Sequence, residues 1–159
     1  MIREYEERDE KVVKTFLVEL QDYLIEYDDQ KLLKRFEEDG TQYLENLLSN
    51  IQKGNGKILI YEDEGTPIGF VAGYIEEVDK VDQLMSNIQK PGYVAELFVQ
   101  ESSRGKGFGK ALMSAMENYF RECGCDFVTV TVDRFNASAV NMYASNGFTE
   151  RDILMLKKL

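Results

Sequence analysis

A loop spanning residues 102–112, SSRGKGFGKAL, gathers glycine and positive charge in one place. Its three glycines occupy alternate positions, 105, 107 and 109, and it carries Arg104, Lys106 and Lys110, in a chain of net charge −10. Glycine lets successive backbone N–H groups turn toward one anion, and a helix N-terminus adds partial positive charge. The loop therefore predicts an anion site, although a plain strand–helix turn with a solvated basic rim is the alternative.

The spacing within this loop excludes the two commonest nucleotide-binding motifs. In a Walker loop, Gly-Lys must be followed by Ser or Thr, but Gly109-Lys110 is followed by Ala111. A dinucleotide-binding loop needs a third glycine where this chain has Lys110. The spacing that does occur is Arg104, two residues, Gly107, one residue, Gly109.

The absence of histidine and the scarcity of cysteine limit the chemistry. With no histidine, Ser–His and Cys–His catalysis and histidine metal sites are excluded. Cys123 and Cys125 are too few for a disulfide framework or a cysteine-rich zinc site, so we expect structural thiols and no metal. The acidic composition argues against nucleic-acid binding, because phosphate backbones are bound by clustered Lys and Arg.

The first third of the chain reads as helical after a short strand in MIREYEE. Apolar residues from Val12 to Tyr27 recur at three-four spacing, which predicts one amphipathic helix after Asp9. A second helical region around Leu32–Phe36 breaks at Asp39-Gly40 and resumes with the apolar positions 43–51. The glycines of KGNG end that helix.

The remainder of the chain predicts a mixed α/β domain. KILIYED and IGFVAGYIEE form a hairpin, and the polar segment that follows is a loop that could include a helical turn. YVAELFV, DFVTVTV and the closing ERDILMLKKL are further strands. Between them lie a helix from Gly109 and a short helix through Ser145, which Asn136 caps. We expect one domain over residues 1–159, with a mixed sheet flanked by helices.

Three segments together resemble the GCN5-related N-acetyltransferase (GNAT) family. They are VAELFV, the Arg-x-x-Gly-x-Gly loop and NASAVNMYASNGF, in this order and at fitting spacing within Tyr93–Phe148. One minor departure is QESS, where many members have a proline before the glycine motif. The resemblance implies the family's mixed sheet, acetyl-CoA as cosubstrate, and a pyrophosphate held by the glycine loop.

The resemblance assigns roles to particular residues. Tyr143 would donate a proton to the leaving thiolate, although on its helix face it could equally be a core tyrosine. Glu96 would be the general base, because burial in an apolar strand would raise its pKa. The alternative is that Glu96 is a structural carboxylate. Asn136 would contact the cofactor, cap a helix, or do both. The cofactor-binding residues are Leu97, Phe98, Val99, Arg104, Gly105, Lys106, Gly107, Phe108, Gly109, Lys110 and Asn136. A backbone N–H of Leu97 or Phe98 would hold the carbonyl oxygen.

The acceptor side is less marked in the sequence. In the family the N-terminal helices and the hairpin form the wall of the acceptor cleft, which suggests Tyr27, Asp28, Asp29 and Tyr74, with Glu76, as contacts for a cationic amine. Each could also be a solvated or structural residue.

The function expected is acetyl transfer from acetyl-CoA to a primary amine of a small molecule, by direct attack in a ternary complex. The alternatives are a non-catalytic acyl-CoA-binding module, a protein N-terminal or lysine acetyltransferase, and a structural domain whose loop is only a turn. The expected partner is a small-molecule amine, with no nucleic acid and no membrane, and a homodimer is left open. A charged N-terminus without an apolar run suggests the cytoplasm.

Overall fold

A computed structural model describes residues 1–36 and 39–159 of the chain. Its strands are β1 (Ile2–Glu4), β2 (Lys57–Asp63), β3 (Thr66–Ile75), β4 (Pro91–Val99) and β5 (Phe127–Val130). Its helices are α1 (Glu10–Tyr27), α2 (Thr41–Lys53), α3 (Lys80–Met85), α4 (Phe108–Glu122) and α5 (Ala137–Ser145). No helix among these residues is both long and apolar enough to cross a membrane.

The strands form one mixed sheet in the order β1-β2-β3-β4-β5. The first three pairings are antiparallel, and only β4 and β5 run parallel. The β2–β3 hairpin follows from Glu64-Gly65, where both residues adopt positive φ. The parallel pair needs a crossover, and α4 provides it. The predicted mixed sheet flanked by helices is confirmed.

Each face of the sheet carries its own apolar core. One core packs α1 and α2 on β2, β3 and β4, with Phe16, Phe70 and Phe98 at its centre. The other packs α4 and α5 on the opposite face and includes Met116 and Phe120. Alternation along β3 and β4 therefore assigns each side chain to one of two helical layers.

An ion-pair network fixes the first strand. The Arg3 guanidinium donates to both carboxylate oxygens of Asp9, at 2.6 and 2.8 Å, and to Glu62 of β2 at 2.6 Å. Asp9 is only 3 % exposed, and its hydrogen bonds from Arg3 hold its pKa below the ordinary value. The network joins β1, the start of α1 and β2, so it stabilises an otherwise short edge strand.

Two segments differ from the sequence expectation. Residues 31–36 form no helix; instead the Asp28 carboxylate accepts the N–H groups of Leu32 and Leu33, which holds the chain in a turn. The remainder of that predicted region, residues 37 and 38, lies outside the described residues. The closing segment also forms no strand: residues 149–159 have no regular structure and are exposed. Its apolar residues, Ile153 to Leu156, are consecutive, so they define no single strand face.

Candidate functional site

The middle of β4 is irregular where Glu96 lies. Ala72 of β3 pairs with Glu96, but its neighbour Gly73 pairs with Val94, so Ala95 is an extra residue in β4. On the other side, β4 pairs with β5 only as far as Val94. A β-bulge bends its strand and ends regular pairing, and here the two strands part at the same level. The second half of β4 thus has an open edge toward β5.

The register fixes which backbone groups line that open edge. The Gln100 N–H donates to the Ile68 carbonyl at 2.9 Å, which makes these two residues a hydrogen-bonded pair. Such pairs alternate along antiparallel strands, so Phe98 and Glu96 also direct their backbone groups toward β3. The N–H groups of Leu97 and Val99 therefore point toward the open edge. Of the two expected donors to a carbonyl oxygen, only Leu97 has this direction.

Glu96 is a half-buried carboxyl group with one hydrogen-bond partner among the described residues. Its side chain lies on the α1–α2 face, where the Tyr43 hydroxyl donates to Oε1. Burial raises the Glu96 pKa to about 7, against the opposing effect of the Tyr43 hydrogen bond. Burial, with the nearby Glu96 charge, also raises the pKa of Tyr43, so Tyr43 remains a donor. A carboxyl group with this pKa can exchange a proton near neutral pH.

Tyr143 approaches the same region from the other helical layer. It lies on α5, is 9 % exposed, and its ring meets Phe148 edge to face at 5.5 Å. Burial, then the Glu96 and Tyr93 charges, raise its pKa to about 12. Its hydroxyl makes no hydrogen bond within the described chain, and no buried polar side-chain atom there lacks a partner, so this hydroxyl reaches solvent. Tyr143 thus approaches the unpaired part of β4 from the α5 side, near enough for the Glu96 charge to affect its pKa.

The glycine loop forms a cradle at the end of β4. Gly105 and Gly107 have φ of +76° and +85°, and a Cβ on either would meet no atom within 4 Å. The first backbone hydrogen bond of α4 runs from Ala111 to Gly107. In the described part of the chain, the N–H groups from Gly105 through Lys110 donate to no other group. Unpaired N–H groups at a helix start, around open space, fit the phosphates of a nucleotide cosubstrate.

The side chains of the glycine loop differ in whether they lie beside the cradle. Lys106 and Lys110 are exposed beside the cradle. Arg104 turns away from the glycines: its Nε donates to the Val99 carbonyl at 3.0 Å, and its guanidinium lies 5.1 Å from the Tyr23 ring centre. The Phe108 ring packs on the ring of Tyr61 in β2, with 4.6 Å between the ring centres. Only the backbone of Phe108 therefore faces the cradle.

Asn136 caps α5, as the sequence predicts. Its Oδ1 accepts the Ala139 N–H at 3.2 Å, and the Tyr23 hydroxyl lies 3.5 Å from the same oxygen. Tyr23 of α1 therefore contacts both Asn136, at the start of α5, and Arg104, in the glycine loop.

The structure separates the four expected acceptor contacts into two groups. Tyr27 stacks on Tyr23 at 4.8 Å and is 51 % exposed, and Asp29 beside it is exposed. Asp28 is buried, and its carboxylate accepts three backbone N–H groups of the following turn, which lowers its pKa. These three residues lie at the C-terminal end of α1 and directly after it.

Tyr74 belongs instead to the surroundings of Glu96. Its ring meets Tyr93, directly opposite on β4, at 5.5 Å. Sequence reasoning missed Tyr93 and Tyr43, because Tyr43 occupies an apolar helix position and hydrogen-bonds to a residue 53 positions away. One signal in the sequence could have identified Tyr43. Phenylalanine or leucine would fill an apolar helix position equally well, so a tyrosine there indicates that its hydroxyl has a partner.

Comparisons with known sequences point to one family. A sequence model of the acetyltransferase (GNAT) family matches residues 17–148. The mycothiol acetyltransferase of Renibacterium salmoninarum is 33 % identical over 92 residues, which are 51 % of this chain and 27 % of that protein. The uncharacterized N-acetyltransferase YycN of Bacillus subtilis is 31 % identical over 71 residues, 45 % of this chain and 46 % of that protein. The matched part is thus less than half of each of these relatives.

Solved structures share the fold at low sequence identity. A mutant of the BH1408 protein from Bacillus halodurans has a TM-score of 0.84 at 20 % identity, covering 100 % of this chain and 99 % of that one. A ribosomal-protein-alanine N-acetyltransferase from Brucella melitensis biovar Abortus scores 0.71 at 18 % identity, covering 100 % and 98 %. An aminoglycoside 6'-N-acetyltransferase from Acinetobacter haemolyticus scores 0.69 at 18 % identity, covering 100 % and 99 %.

Proposed function

Because the chain belongs to the acetyltransferase (GNAT) family, we propose that it transfers an acetyl group from acetyl-CoA to a primary amine of a small molecule. One observation carries this proposal: Glu96, with a pKa raised to about 7, lies beside the unpaired edge of β4, near enough to Tyr143 for its charge to raise the Tyr143 pKa. A structural carboxylate would be expected to pair with a cation or with several backbone N–H groups, as Asp28 does, whereas Glu96 has a single tyrosine hydroxyl.

The chain offers a complete set of groups for acetyl-CoA. Acetyl-CoA supplies the acetyl group as an activated thioester. The N–H groups from Gly105 through Lys110 would hold its pyrophosphate, and Lys106 and Lys110 add local positive charge in an acidic protein. The open edge of β4 leads from this cradle to Glu96, with the Leu97 N–H directed into it.

Each group then has one task in the reaction. Glu96 accepts the proton that the acceptor nitrogen must lose before or as it attacks the acetyl carbon. The Leu97 N–H stabilises the oxygen on which negative charge develops. Tyr143, with a pKa of about 12, keeps its hydroxyl proton at neutral pH. It donates this hydroxyl proton to the sulfur as the carbon–sulfur bond breaks. No covalent enzyme nucleophile takes part, so the lack of histidine is no obstacle.

Two measurements test the proposal. Acetyl-CoA should raise the melting temperature of the protein, because a ligand that binds only the folded state stabilises it. Thiol release from acetyl-CoA should then depend on an added amine, drawn from a panel of small amines, aminoglycosides and peptides with free N-termini. Glu96→Gln should retain the thermal shift and lose turnover.

A matched control is Tyr119→Phe, which removes a hydroxyl that donates to the Asn55 carbonyl at 2.5 Å. This variant should keep turnover. Binding of acetyl-CoA without turnover of any amine would favour a non-catalytic acyl-CoA-binding module, and turnover restricted to the peptides would favour a protein acetyltransferase. No thermal shift at saturating acetyl-CoA would refute all of these.

A further inference from the structure

A line of polar side chains extends from Glu96 along the α1–α2 face of the sheet. Ala72, the β3 partner of Glu96, packs in the α1–α2 core. Alternate residues of a strand share a face, so Tyr74 and Glu76 follow Ala72 on that side. Pairing continues to this point, since the Glu76 N–H donates to the Pro91 carbonyl at 3.0 Å.

Three tyrosines lie between the two carboxylates. Tyr93 faces Tyr74 across β3 and β4, and Tyr43 reaches over from α2 to bond Glu96. We call Tyr43, Tyr74 and Tyr93 the tyrosine row. Tyr43 lies close enough to the other two for their charges to affect its own ionisation, so the three hydroxyls form one cluster.

Glu76 marks the outer end of this row. It is exposed, and the Thr129 hydroxyl of β5 lies 3.5 Å from its carboxylate. Thr129 pairs with Tyr93, so Glu76 lies over the same part of the sheet as the tyrosines. Among the described residues, neither Glu76 nor Glu96 forms an ion pair with a Lys or Arg.

The spacing of the two carboxylates defines the length of what could lie between them. Glu76 lies four positions beyond Ala72 in the chain, which places the Glu96 and Glu76 positions roughly 13 Å apart along the strands. Aromatic faces and carboxylates attract ammonium groups, and methylene segments pack on tyrosine rings. The net charge of −10 also draws cations to the protein.

We propose that the acceptor is an extended aliphatic polyamine. Its terminal primary amine lies at Glu96 and is acetylated, its methylenes follow the tyrosine row, and a second ammonium group pairs with Glu76. This inference rests on the proposed function for its chemistry. The amine nitrogen forms the new bond to the acetyl carbon, its proton passes to Glu96, and the thiol leaves as its carbon–sulfur bond breaks.

The test compares amines that differ in the number of positive charges and in the distance between them. With the full chain and acetyl-CoA, kcat/KM is measured for 1-aminooctane, 1,8-diaminooctane, 1,4-diaminobutane and spermidine. The long diamine and spermidine should exceed the monoamine and the short diamine by about fivefold, the factor expected for one partly exposed ion pair.

Glu76→Gln should remove that advantage through KM, so that 1,8-diaminooctane reacts no better than 1-aminooctane. Glu77→Gln is the matched control, because Glu77 is exposed and lies on the opposite side of the chain. It should keep the advantage of the long diamine.

The outcomes separate this inference from the proposed function. If all amines react but the second charge gives no advantage, the polyamine assignment is overturned and acetyl transfer stands. If no amine reacts, calorimetric titration of 1,8-diaminooctane in the presence of CoA decides the matter. Binding that is lost in Glu76→Gln would support the polyamine site and contradict acetyl transfer, whereas no binding would overturn both.

Discussion

Replacing Glu96 by glutamine should make the protein more stable at neutral pH even as it stops turnover. Burial raises the Glu96 pKa from 4.5 to about 7, so at pH 8 the carboxylate is ionised in surroundings that favour its neutral form. Glutamine has nearly the same shape and retains an oxygen that can accept the Tyr43 hydroxyl. The substitution therefore removes the cost of a buried charge without opening a cavity.

The sign and size follow from proton linkage. An acid with a higher pKa in the folded state binds more protons there, so stability falls as pH rises between the two pKa values. With 4.5 unfolded and about 7 folded, the cost of the Glu96 charge is near zero at pH 4, about 1 kcal/mol at pH 5 and about 3 kcal/mol at pH 8. Glutamine avoids this cost at every pH.

The measurement is thermal unfolding of wild type and Glu96→Gln between pH 4 and pH 8. The two melting temperatures should nearly coincide at pH 4 and separate by roughly 6 to 12 °C at pH 8, the variant being higher. Glu19→Gln is the control, because Glu19 is exposed on α1. Its difference from wild type should stay small at every pH.

A gap that does not change with pH would show that folding leaves the Glu96 pKa unchanged, and would refute the reasoning. A wild type more stable than the variant at pH 8 would mean that the folded protein stabilises the ionised carboxylate. In either case Glu96 would lose its assignment as a base poised near pH 7. The kcat/KM of wild type should accordingly rise with pH through a midpoint near 7.

Four further changes test other parts of the structure. Asp9→Asn should lower the free energy of unfolding by about 2 kcal/mol in urea titrations, because it weakens a buried ion pair. Tyr143→Phe should lower kcat about 100-fold with unchanged acetyl-CoA affinity, and an unaltered kcat would remove its role as acid. Gly107→Val should weaken acetyl-CoA binding about tenfold in calorimetry, because φ is +85° and the side chain enters the cradle; equal affinity would contradict the phosphate placement. Gly92→Ala should cost about 2 kcal/mol of stability in urea titrations, since its Cβ would lie 2.5 Å from the Phe120 ring.

Local patterns were sufficient to predict most of the elements. The three-four spacing of apolar residues in α1, α2 and α4 reflects burial of one helix face, and the apolar runs of β2 and β3 reflect burial on both faces of the sheet. The end of the chain shows where this reasoning fails. ERDILMLKKL has strand-forming residues, yet strands need a partner, and that partner is not encoded in the segment itself.

The sequence by itself determined the family, the cradle and the type of sheet. A glycine loop that begins a helix after a strand is a local feature, because its conformation depends on residues next to one another. The tertiary structure alone decided what surrounds Glu96. Its partner Tyr43 lies 53 positions away, the bulge at Ala95 turns it to the α1–α2 face, and the parting of β4 and β5 opens its edge to Tyr143. Burial and the Tyr43 hydrogen bond set its pKa, and both exist only once the chain has folded.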